Sequence, residues 1–354
     1  MSATATERAL DPRDRGGPAH PLLLVHGLRK HFPVRGGLLN RQVATVQAVD
    51  DVSFMVRKGE TLGIVGESGC GKSTTARLLM RLIEPDSGDV VFDGDPVANR
   101  HGITVNAMRR QMQMVFQDSY SSLNPRMTMA ESIAYAPRMH GVAGKEAIER
   151  AKGLLAQVGL NPRQYARRYP HELSGGQRQR VNIARALALE PRMVILDEAV
   201  SALDKSIEAQ VLNLLSELKE RFNLTYLFIS HDLNVVEYIA DRVLVMYLGR
   251  VVEMGSVEAI YTRPRHPYTR ALFASKPTLD PDRRTTEMPL TGDPPNPINP
   301  PSGCRFRTRC AFAQPICAEI APSLAPPDDD DEMSEHLVAC HLPEAQQAMA
   351  VHHA

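Results

Sequence analysis

One stretch of the chain decides its fold: residues 61–73 read TLGIVGESGCGKS. Residues 61–65 are apolar with β-branched members, which predicts a buried strand, and the pattern after the lysine predicts an amphipathic helix that reaches Leu82. The segment between them fits G-x-x-x-x-G-K-[ST] in full, at the strand-to-helix position that this pattern requires. The sequence therefore predicts a phosphate-binding loop that opens a helix.

The residue types of this loop suit a nucleoside triphosphate. Glycines let successive backbone N–H groups turn inward around phosphate oxygens at a helix N-terminus. Lys72 is expected to neutralise the β- and γ-phosphates, and the Ser73 hydroxyl to ligate Mg²⁺. The expected nucleotide contacts in this loop are Gly66, Glu67, Ser68, Gly69, Cys70, Gly71, Lys72, Ser73 and Thr74.

A second element supplies what hydrolysis needs. Residues 193–198 read MVILDE, an apolar strand that ends in two carboxylates. Asp197 is expected to hold the Mg²⁺ shell, and Glu198 to polarise the attacking water as general base. Alone, such a strand could simply have a solvated acidic end; together with the phosphate-binding loop it predicts a triphosphate hydrolase.

The third element is LSGGQ at residues 173–177. Ser174 is a good helix N-cap, and the residues that follow it carry an apolar face at helical spacing. A serine and two glycines at a helix start form a second anion site of phosphate size. This element comes about 20 residues before the acidic strand, which makes an ordinary capped helix a weaker explanation.

With these elements the chain resembles the ATP-binding cassette (ABC) family over about residues 21–262. LSGGQ matches that family's signature without a change, and SALD at residues 201–204 matches its D-loop, which crosses a dimer interface. The resemblance implies that the nucleotide is ATP and that one copy holds two half-sites. The further ATP contacts it implies are Ser174, Gly175, Gly176, Gln177 and Asp204.

Three more positions match landmarks of the same family. Gln117 matches the Q-loop glutamine, which implies a place at the Mg²⁺–water shell and near the membrane subunits. His231 matches the switch histidine that reads the γ-phosphate. Phe32 is the best candidate for the aromatic that stacks on adenine, since Phe54 lies in a strand too near the phosphate-binding loop. Glu198, His231 and Gln117 are thus the expected catalytic residues.

The remaining pattern predicts an α/β domain with a mostly parallel sheet. Short apolar runs alternate with helical stretches such as residues 209–222. The runs that predict strands lie at residues 111–116, 193–196, 225–229 and 243–247. Earlier strands near residues 52–56 and 90–92 suggest an added antiparallel layer. The resemblance implies a RecA-like parallel sheet core, that antiparallel layer, and a helical subdomain at about residues 118–187.

Composition excludes several classes of protein. The 354 residues include 41 Lys+Arg and 41 Asp+Glu, so the basic excess of a nucleic-acid-coating protein is absent and no nucleic-acid partner is expected. No apolar run approaches the roughly 18–20 residues of a membrane-spanning helix. The first 20 residues lack the apolar core of a secretion signal, so we expect a disordered tail at 1–20, a second tail at 343–354, and a protein that stays in the cytoplasm.

The texture of the sequence changes towards its end. Residues 263–342 hold much of the proline, four of the five cysteines and the acidic run at 328–332, which we expect to be a solvated loop. This predicts a small, loop-rich C-terminal extension with a core too poor to fold unaided. HPYTRAL at residues 266–272 and NPPSGCRFRTRC at residues 299–310 resemble the extension of ATPase subunits of oligopeptide and dipeptide importers, a group that includes nickel and glutathione systems.

The extension's four cysteines are Cys304, Cys310, Cys317 and Cys340. In a cytoplasmic chain, clustered cysteines bind metal more often than they form disulfides. Their spacing gives neither paired C-x₂-C zinc knuckles nor a standard ferredoxin pattern. Some members of the importer group hold an iron–sulfur cluster here, so the resemblance implies a [4Fe–4S] cluster; zinc, plain thiols and a redox disulfide stay open.

The two resemblances together imply an ATP-hydrolysing subunit of an ABC importer for di- or oligopeptides, peripheral at the cytoplasmic face of the cell membrane. They imply two polytopic permease subunits, a second ABC ATPase subunit in a heterodimer or homodimer, and indirectly an extracytoplasmic substrate-binding protein. A nickel or glutathione importer is an alternative. So is a non-transport ABC ATPase acting on nucleic acid or ribosomes, although those usually carry long coiled coils or two cassettes per chain.

Overall fold

The computed structural model describes residues 13–17, 20–36, 41–98, 100–275, 296–327 and 335–342. The tail predicted at 343–354, the acidic run at 328–332 and most of the tail predicted at 1–20 lie outside the described residues.

The described residues form two sheets and a set of helices. The strands are β1 (Leu23–Gly36), β2 (Arg41–Val56), β3 (Thr61–Val65), β4 (Ser87–Phe92), β5 (Asp95–Pro96), β6 (Met112–Val115), β7 (Met193–Asp197), β8 (Thr225–Ile229), β9 (Arg242–Tyr247), β10 (Arg250–Ser256) and β11 (Leu337–Val338). The helices are α1 (Lys72–Leu79), α2 (Val105–Gln111), α3 (Met129–Met139), α4 (Gly144–Gln157), α5 (Pro162–Tyr165), α6 (Gly175–Leu187), α7 (Lys205–Phe222), α8 (Leu233–Ile239), α9 (Val257–Thr262), α10 (Pro267–Ala274) and α11 (Ile316–Glu319).

The larger sheet has the order β11-β10-β9-β3-β8-β7-β6. Its members from β9 to β6 pair in parallel, and β10 and β11 extend it antiparallel. Every residue of β3, β7 and β8 is buried, as expected for a sheet covered on both faces. The carboxyl ends of β3, β7 and β8 therefore lie along one edge, where parallel sheets place their ligand sites.

The smaller sheet has the order β2-β1-β4-β5 and is antiparallel. Its inner face carries Leu23, Val25 and Val52, which are buried in the same core as β3 and α1. The predicted fold class, a parallel core with an added antiparallel layer, is confirmed.

Between residues 118 and 187 the structure has helices joined by turns and no strand, and the first of these helices begins at Met129. Helices α3, α4 and α6 pack together around fully buried Ile133, Ala147 and Leu155. LSGGQ lies at the start of α6, with Ser174 as its N-cap residue. No helix in the described part of the chain is both long and apolar enough to span a membrane.

Two boundaries differ from the sequence-based prediction. Helix α1 ends at Leu79 and not at Leu82, because Arg81 has a left-handed φ of 53° and the Leu82 N–H donates back to the Arg77 carbonyl at 2.9 Å. Helix α7 begins at Lys205, one turn before the apolar spacing becomes visible in the sequence.

The described part of the N-terminal segment also differs from the expected disordered tail. The Lys58 ammonium lies 2.5 Å from the Asp14 carboxylate, and the Arg15 backbone N–H donates to Asp93 at 2.8 Å. Arg192 reaches the same Asp93 at 2.5 Å. These charged contacts hold residues 13–17 against the cassette.

The C-terminal extension packs onto the larger sheet. Strand β11 pairs with β10, and the Ala339 N–H donates to the Val252 carbonyl at 2.8 Å. Phe306 and Cys317 of the extension are 3% and 6% exposed. The extension thus completes an edge of the cassette's sheet, which the sequence did not predict.

Candidate functional site

The phosphate-binding loop connects β3 at the middle of the larger sheet to α1. Gly66 has φ 149°, and a Cβ there would lie 2.2 Å from the Met246 carbonyl oxygen in β9, so the close approach requires glycine. The Lys72 side chain is buried within the loop, where its Nζ donates to the Gly66 carbonyl at 2.7 Å and to the Glu67 carbonyl at 3.0 Å. The ammonium therefore lies where the loop's N–H groups would gather phosphate oxygens.

A hydroxyl and a carboxylate meet beside this loop. The Ser73 Oγ donates to Asp197 Oδ1 at 2.8 Å, which joins the first residues of α1 to the end of β7. Burial raises the pKa of Asp197 even against that hydrogen bond, and the charge of Glu198 raises it further. Hard oxygen donors in such a position suit Mg²⁺, whose charge would stabilise the ionised carboxylate.

The three predicted catalytic residues come together at Glu198. Its Oε2 accepts a hydrogen bond from Gln117 Nε2 at 2.7 Å and lies 3.4 Å from His231 Nδ1. Glu198 has a left-handed φ of 48°, and its N–H donates to the Ile229 carbonyl at 2.9 Å. Non-glycine residues in this conformation are strained and concentrate at active sites. The turn after β7 thus aims Glu198 towards residues that follow β6 and β8.

The signature segment forms a separate surface on the helical subdomain. Ser174 accepts the Gln177 N–H at 3.3 Å, and the Gln177 side chain accepts the Ser174 N–H at 3.1 Å, so the two form a capping box at the start of α6. Ser174 is exposed. Within the described residues, no hydrogen bond joins this segment to the phosphate-binding loop, so the two predicted phosphate-contacting segments are not joined within the chain.

Two of the predicted ATP contacts lie outside these clusters. Asp204 is the N-cap residue of α7, without a side-chain capping bond. Phe32 lies half-buried in β1, opposite Val46 of β2. The neighbouring part of β2 touches the phosphate-binding loop, since a Cβ on Gly71 would lie 2.3 Å from the Ala48 carbonyl oxygen. Stacking of Phe32 on adenine stays a prediction.

The four cysteines of the extension line one small pocket together with Phe306 and His341. None of the four is part of a disulfide, and burial raises the pKa of Cys310 to about 12 and that of Cys340 to about 11. Yet no group of three or more His, Cys, Asp or Glu side chains among the described residues has the arrangement of a metal site. The four predicted cluster ligands are therefore gathered but not preassembled, and the [4Fe–4S] cluster stays a prediction.

Sequence reasoning missed two residues that touch the phosphate-binding loop. Arg309 holds both carboxylate oxygens of Glu67, at 2.8 and 3.2 Å, and the Tyr268 hydroxyl accepts the Glu67 N–H at 2.9 Å. These partners are 242 and 201 residues away along the chain, so no local pattern could reveal the contacts. Both residues lie in the two stretches that resemble the importer group's extension, and that resemblance assigned them no contact with the nucleotide site.

Comparison with protein families gives two matches. Residues 49–201 match the ABC transporter model, and residues 252–317 match the model of the oligopeptide/dipeptide transporter C-terminal region. The two matches cover the phosphate-binding loop, the signature and much of the cysteine-rich extension.

Relatives of known description resemble nearly the whole chain. A probable peptide ABC transporter ATP-binding protein of Sinorhizobium fredii is 52% identical over 91% of this chain and 90% of its own length. The oligopeptide transport ATP-binding protein AppF of Bacillus subtilis is 50% identical over 91% of this chain and 97% of its own. The glutathione import ATP-binding protein GsiA of Pectobacterium atrosepticum is 53% identical over 79% of this chain, which spans 46% of that longer protein.

Solved structures resemble the cassette. CbiO1 of Clostridium perfringens, part of the ABC transporter complex CbiONQ, is 26% identical with a TM-score of 0.58 and is covered over 91% of its length, against 69% of this chain. The ATP-binding cassette MJ0796, in a dimeric post-hydrolysis state bound to ADP and phosphate, is 28% identical with a TM-score of 0.58, over 66% of this chain and 98% of its own.

Proposed function

Because the chain belongs to the ABC transporter family of ATP-binding proteins, we propose that it is the ATP-hydrolysing subunit of an importer for di- or oligopeptides. The observation that carries the hydrolytic part is the convergence of Gln117 and His231 on the Glu198 carboxylate. The Ser73–Asp197 pair supports it, since β7 ends in both acidic residues. The peptide part rests on the match to the oligopeptide/dipeptide transporter C-terminal region and on the relatives' peptide substrates.

In the proposed reaction, the loop's N–H groups and Lys72 bind the phosphates of ATP. The Glu198 carboxylate accepts a proton from the water that attacks the γ-phosphorus, and ADP and inorganic phosphate leave. Gln117 and His231 orient that carboxylate and the water. Ser73, Asp197 and Gln117 would hold Mg²⁺, which when bound neutralises phosphate charge.

The separation of the two phosphate sites favours work in pairs. The start of α6 in one cassette, with its exposed N-cap Ser174, would close over the phosphate-binding loop of a second ATPase subunit, with Asp204 near the seam. ATP then joins two cassettes and its hydrolysis releases them. Such a two-state cycle can drive a transporter because each state binds the membrane partner differently.

The proposed partners follow from this cycle. Two polytopic permease subunits would bind the cassettes at the cytoplasmic face of the membrane, near Gln117 and the helical subdomain. An extracytoplasmic binding protein would deliver substrate to the permeases, so peptide need not touch this chain. We propose a heterodimer of related cassettes, with a homodimer as the alternative.

A glutathione importer is the second candidate, because GsiA is 53% identical to this chain. A nickel importer of the same group is a further alternative from the sequence. Transport of labelled dipeptides, longer peptides, glutathione and Ni²⁺ by the reconstituted complex separates the three. ATP-dependent uptake of peptide alone supports the proposal, and uptake of glutathione or Ni²⁺ without peptide contradicts it.

We also propose that the four-cysteine pocket takes a [4Fe–4S] cluster. Support comes from the chemistry of the donor set: four thiols from one loop-rich segment line a single pocket. A cluster there would cross-link a segment that has little core of its own. Its formation requires the thiols to move into ligating positions, since the described residues hold no preassembled site.

Anaerobic purification followed by iron and sulfide analysis tests this centre. We expect iron and sulfide in equal amounts, lost in Cys310→Ser and kept in the control Cys70→Ser, whose sulfur lies in the phosphate-binding loop outside the pocket. A colourless protein without metal, or one that holds zinc, would remove the cluster from the proposal.

A further inference from the structure

Glu67 of the phosphate-binding loop is held on three sides. Its carboxylate accepts hydrogen bonds from the two terminal nitrogens of the Arg309 guanidinium, and its N–H donates to the Tyr268 hydroxyl. Its carbonyl accepts from Lys72 Nζ at 3.0 Å and from the Cys70 N–H at 3.2 Å. Arg309 and Tyr268 both belong to the C-terminal extension, whereas Lys72 and Cys70 belong to the loop itself.

The two outside attachments are rigid. Tyr268 is fully buried, and the Arg309 side chain is 6% exposed. The Tyr268 ring lies 4.6 Å from that of Tyr247 in β9 and 5.5 Å from that of Phe306, measured between centroids. Phe306 and Tyr247 meet edge to face at 5.3 Å. A bidentate ion pair anchored on such an aromatic cluster fixes direction as well as distance.

The charge of Arg309 matters for an anion site. Glu67 places a carboxylate on the loop that must receive a triphosphate, and like charges at short range repel. The guanidinium pairs with this carboxylate and offsets its charge. Losing Arg309 would therefore both loosen the loop and leave a negative charge beside the phosphates.

We propose that Arg309 and Tyr268 are positioning residues for the phosphate-binding loop, acting through Glu67, so that the C-terminal extension sets the nucleotide affinity of the cassette. This inference rests on the nucleotide site proposed above. It gives the extension a role in ATP binding in addition to any role of its cysteines.

The test is nucleotide binding by the full chain, with Arg309→Ala compared with Arg307→Ala. Arg307 lies two residues away, and its guanidinium bonds to Ser302 at the surface, so it is a matched control. By titration calorimetry with MgATP we expect about a 5–20-fold weaker affinity for Arg309→Ala, because a charge-assisted bidentate pair is lost. Arg309→Lys should fall between, and Arg307→Ala should stay within about twofold of the wild type.

A double-mutant cycle tests the route through Glu67. In a Glu67→Gln background, Arg309→Ala should cost much less affinity than in the wild type. In the assembled complex KM for ATP should rise while kcat changes little, whereas a purely structural defect would lower the melting temperature without a selective KM effect. Unchanged affinity in Arg309→Ala, or an equal loss in both backgrounds, would overturn the inference.

Lys72→Ala separates this inference from the function on which it rests. If Lys72→Ala still binds ATP normally, the nucleotide site itself is misplaced. If Lys72→Ala abolishes binding while both Arg309→Ala and Arg309→Lys bind like the wild type, the site stands and only the role of the extension fails.

Discussion

The phosphate-binding loop and the cysteine pocket are both made of loop residues, but the chain builds them in different ways. The loop lies between β3 and α1, so the elements that flank it are its immediate neighbours in sequence, although Arg309 and Tyr268 of the extension also contact it. The four cysteines of the pocket lie within residues 304–340. The described part of this range contains only the four-residue helix α11 and the two-residue strand β11. Contacts with the cassette must therefore shape the pocket.

Those contacts are specific. The buried Arg305 guanidinium bonds to Asp50 at 2.5 Å and to the Leu248 carbonyl, and strand β11 uses the free edge of β10. Burial alone would raise the pKa of Asp50, but the hydrogen bond from Arg250 and the charge of Arg305 lower it. The comparison teaches that a short stretch of sequence is enough to identify the phosphate-binding loop. The cysteine pocket, in contrast, takes its shape only when the extension packs on the folded cassette.

The largest expected effect concerns the locally encoded region. Glu198→Gln removes the proposed general base but keeps the side chain's size, so kcat for ATP hydrolysis by the complex should fall about 10²–10⁴-fold. ATP should still bind, and ATP-dependent pairing of cassettes should persist or last longer, as measured by size-exclusion chromatography with and without ATP.

Glu217→Gln is the matched control for this prediction, because Glu217 lies exposed on α7. It should hydrolyse ATP at the wild-type rate. Undiminished hydrolysis by Glu198→Gln would show that Glu198 is not the general base. The contacts of Gln117 and His231 with its carboxylate would then not support hydrolysis.

The next effect concerns the region that depends on the whole fold. Phe306→Ala empties the aromatic cluster under the phosphate-binding loop, and it should lower the free energy of unfolding by about 3–5 kcal/mol. Phe222→Ala, at the end of α7 where the ring is 38% exposed, should cost less than about 1 kcal/mol. Urea denaturation followed by circular dichroism measures both, and equal small losses would show that the extension is not anchored on the cassette.

The two regions also differ in how much of them the sequence reveals. Strand β3 is predicted to the residue and β7 to within one, because a buried strand needs only a short apolar run and its loop follows a fixed spacing. The meeting of Ser73 and Asp197 could be predicted because the motifs place them just after β3 and at the end of β7, strands whose carboxyl ends lie along one edge of the sheet. The roles assigned to these two residues and to Glu198 stay predictions.

The extension could be recognised from its resemblance to a known family, but its contacts with the cassette could not be predicted from the sequence. The pairing of β11 with β10, and the reach of Arg309 to Glu67, each join residues far apart in the chain. A two-residue strand has no periodicity to detect, and an arginine carries no sign of its partner. The early end of α1 at Leu79 had a similar cause, since a left-handed Arg81 cannot be inferred from apolar spacing.

The ion pairs of Asp93 join residues far apart in the chain by charge, so their contribution to the free energy of unfolding should depend on pH. Burial alone would raise the pKa of Asp93, but hydrogen bonds from Arg192, the Arg15 N–H and Lys58 hold it well below its ordinary value. Since the folded pKa is depressed, its stabilisation should be complete above about pH 4 and be lost as the pH falls further. The contribution should be about 2–3 kcal/mol.

Urea titrations at several pH values, of the wild type and Asp93→Asn, measure this contribution. The difference between the two proteins should be constant from neutral pH to about pH 5 and should shrink below about pH 4. A difference that grows as the pH falls would contradict the assigned direction of the shift.

The smallest effect concerns a residue that belongs to neither region. Phe32 of β1 pairs with Val46 of β2, and the nearby Ala48 carbonyl of β2 packs against Gly71 of the phosphate-binding loop. If its ring stacks on adenine, Phe32→Ala should weaken ATP binding about 3–10-fold, because a stacking contact is worth about 1 kcal/mol. Phe32→Tyr keeps the ring and should bind like the wild type.

Inorganic tripolyphosphate separates base recognition from phosphate recognition in this experiment. It has the phosphate chain without the adenine, so its affinity for Phe32→Ala should equal its affinity for the wild type. An equal loss for ATP and tripolyphosphate would mean that Phe32 supports the loop through β2, as the extension does through Glu67. The smaller sheet beside the loop, and not only β3 and α1, would then help to shape the phosphate site. The phosphate-binding loop and the cysteine pocket would both depend on contacts between residues far apart in the chain, and would differ only in how much.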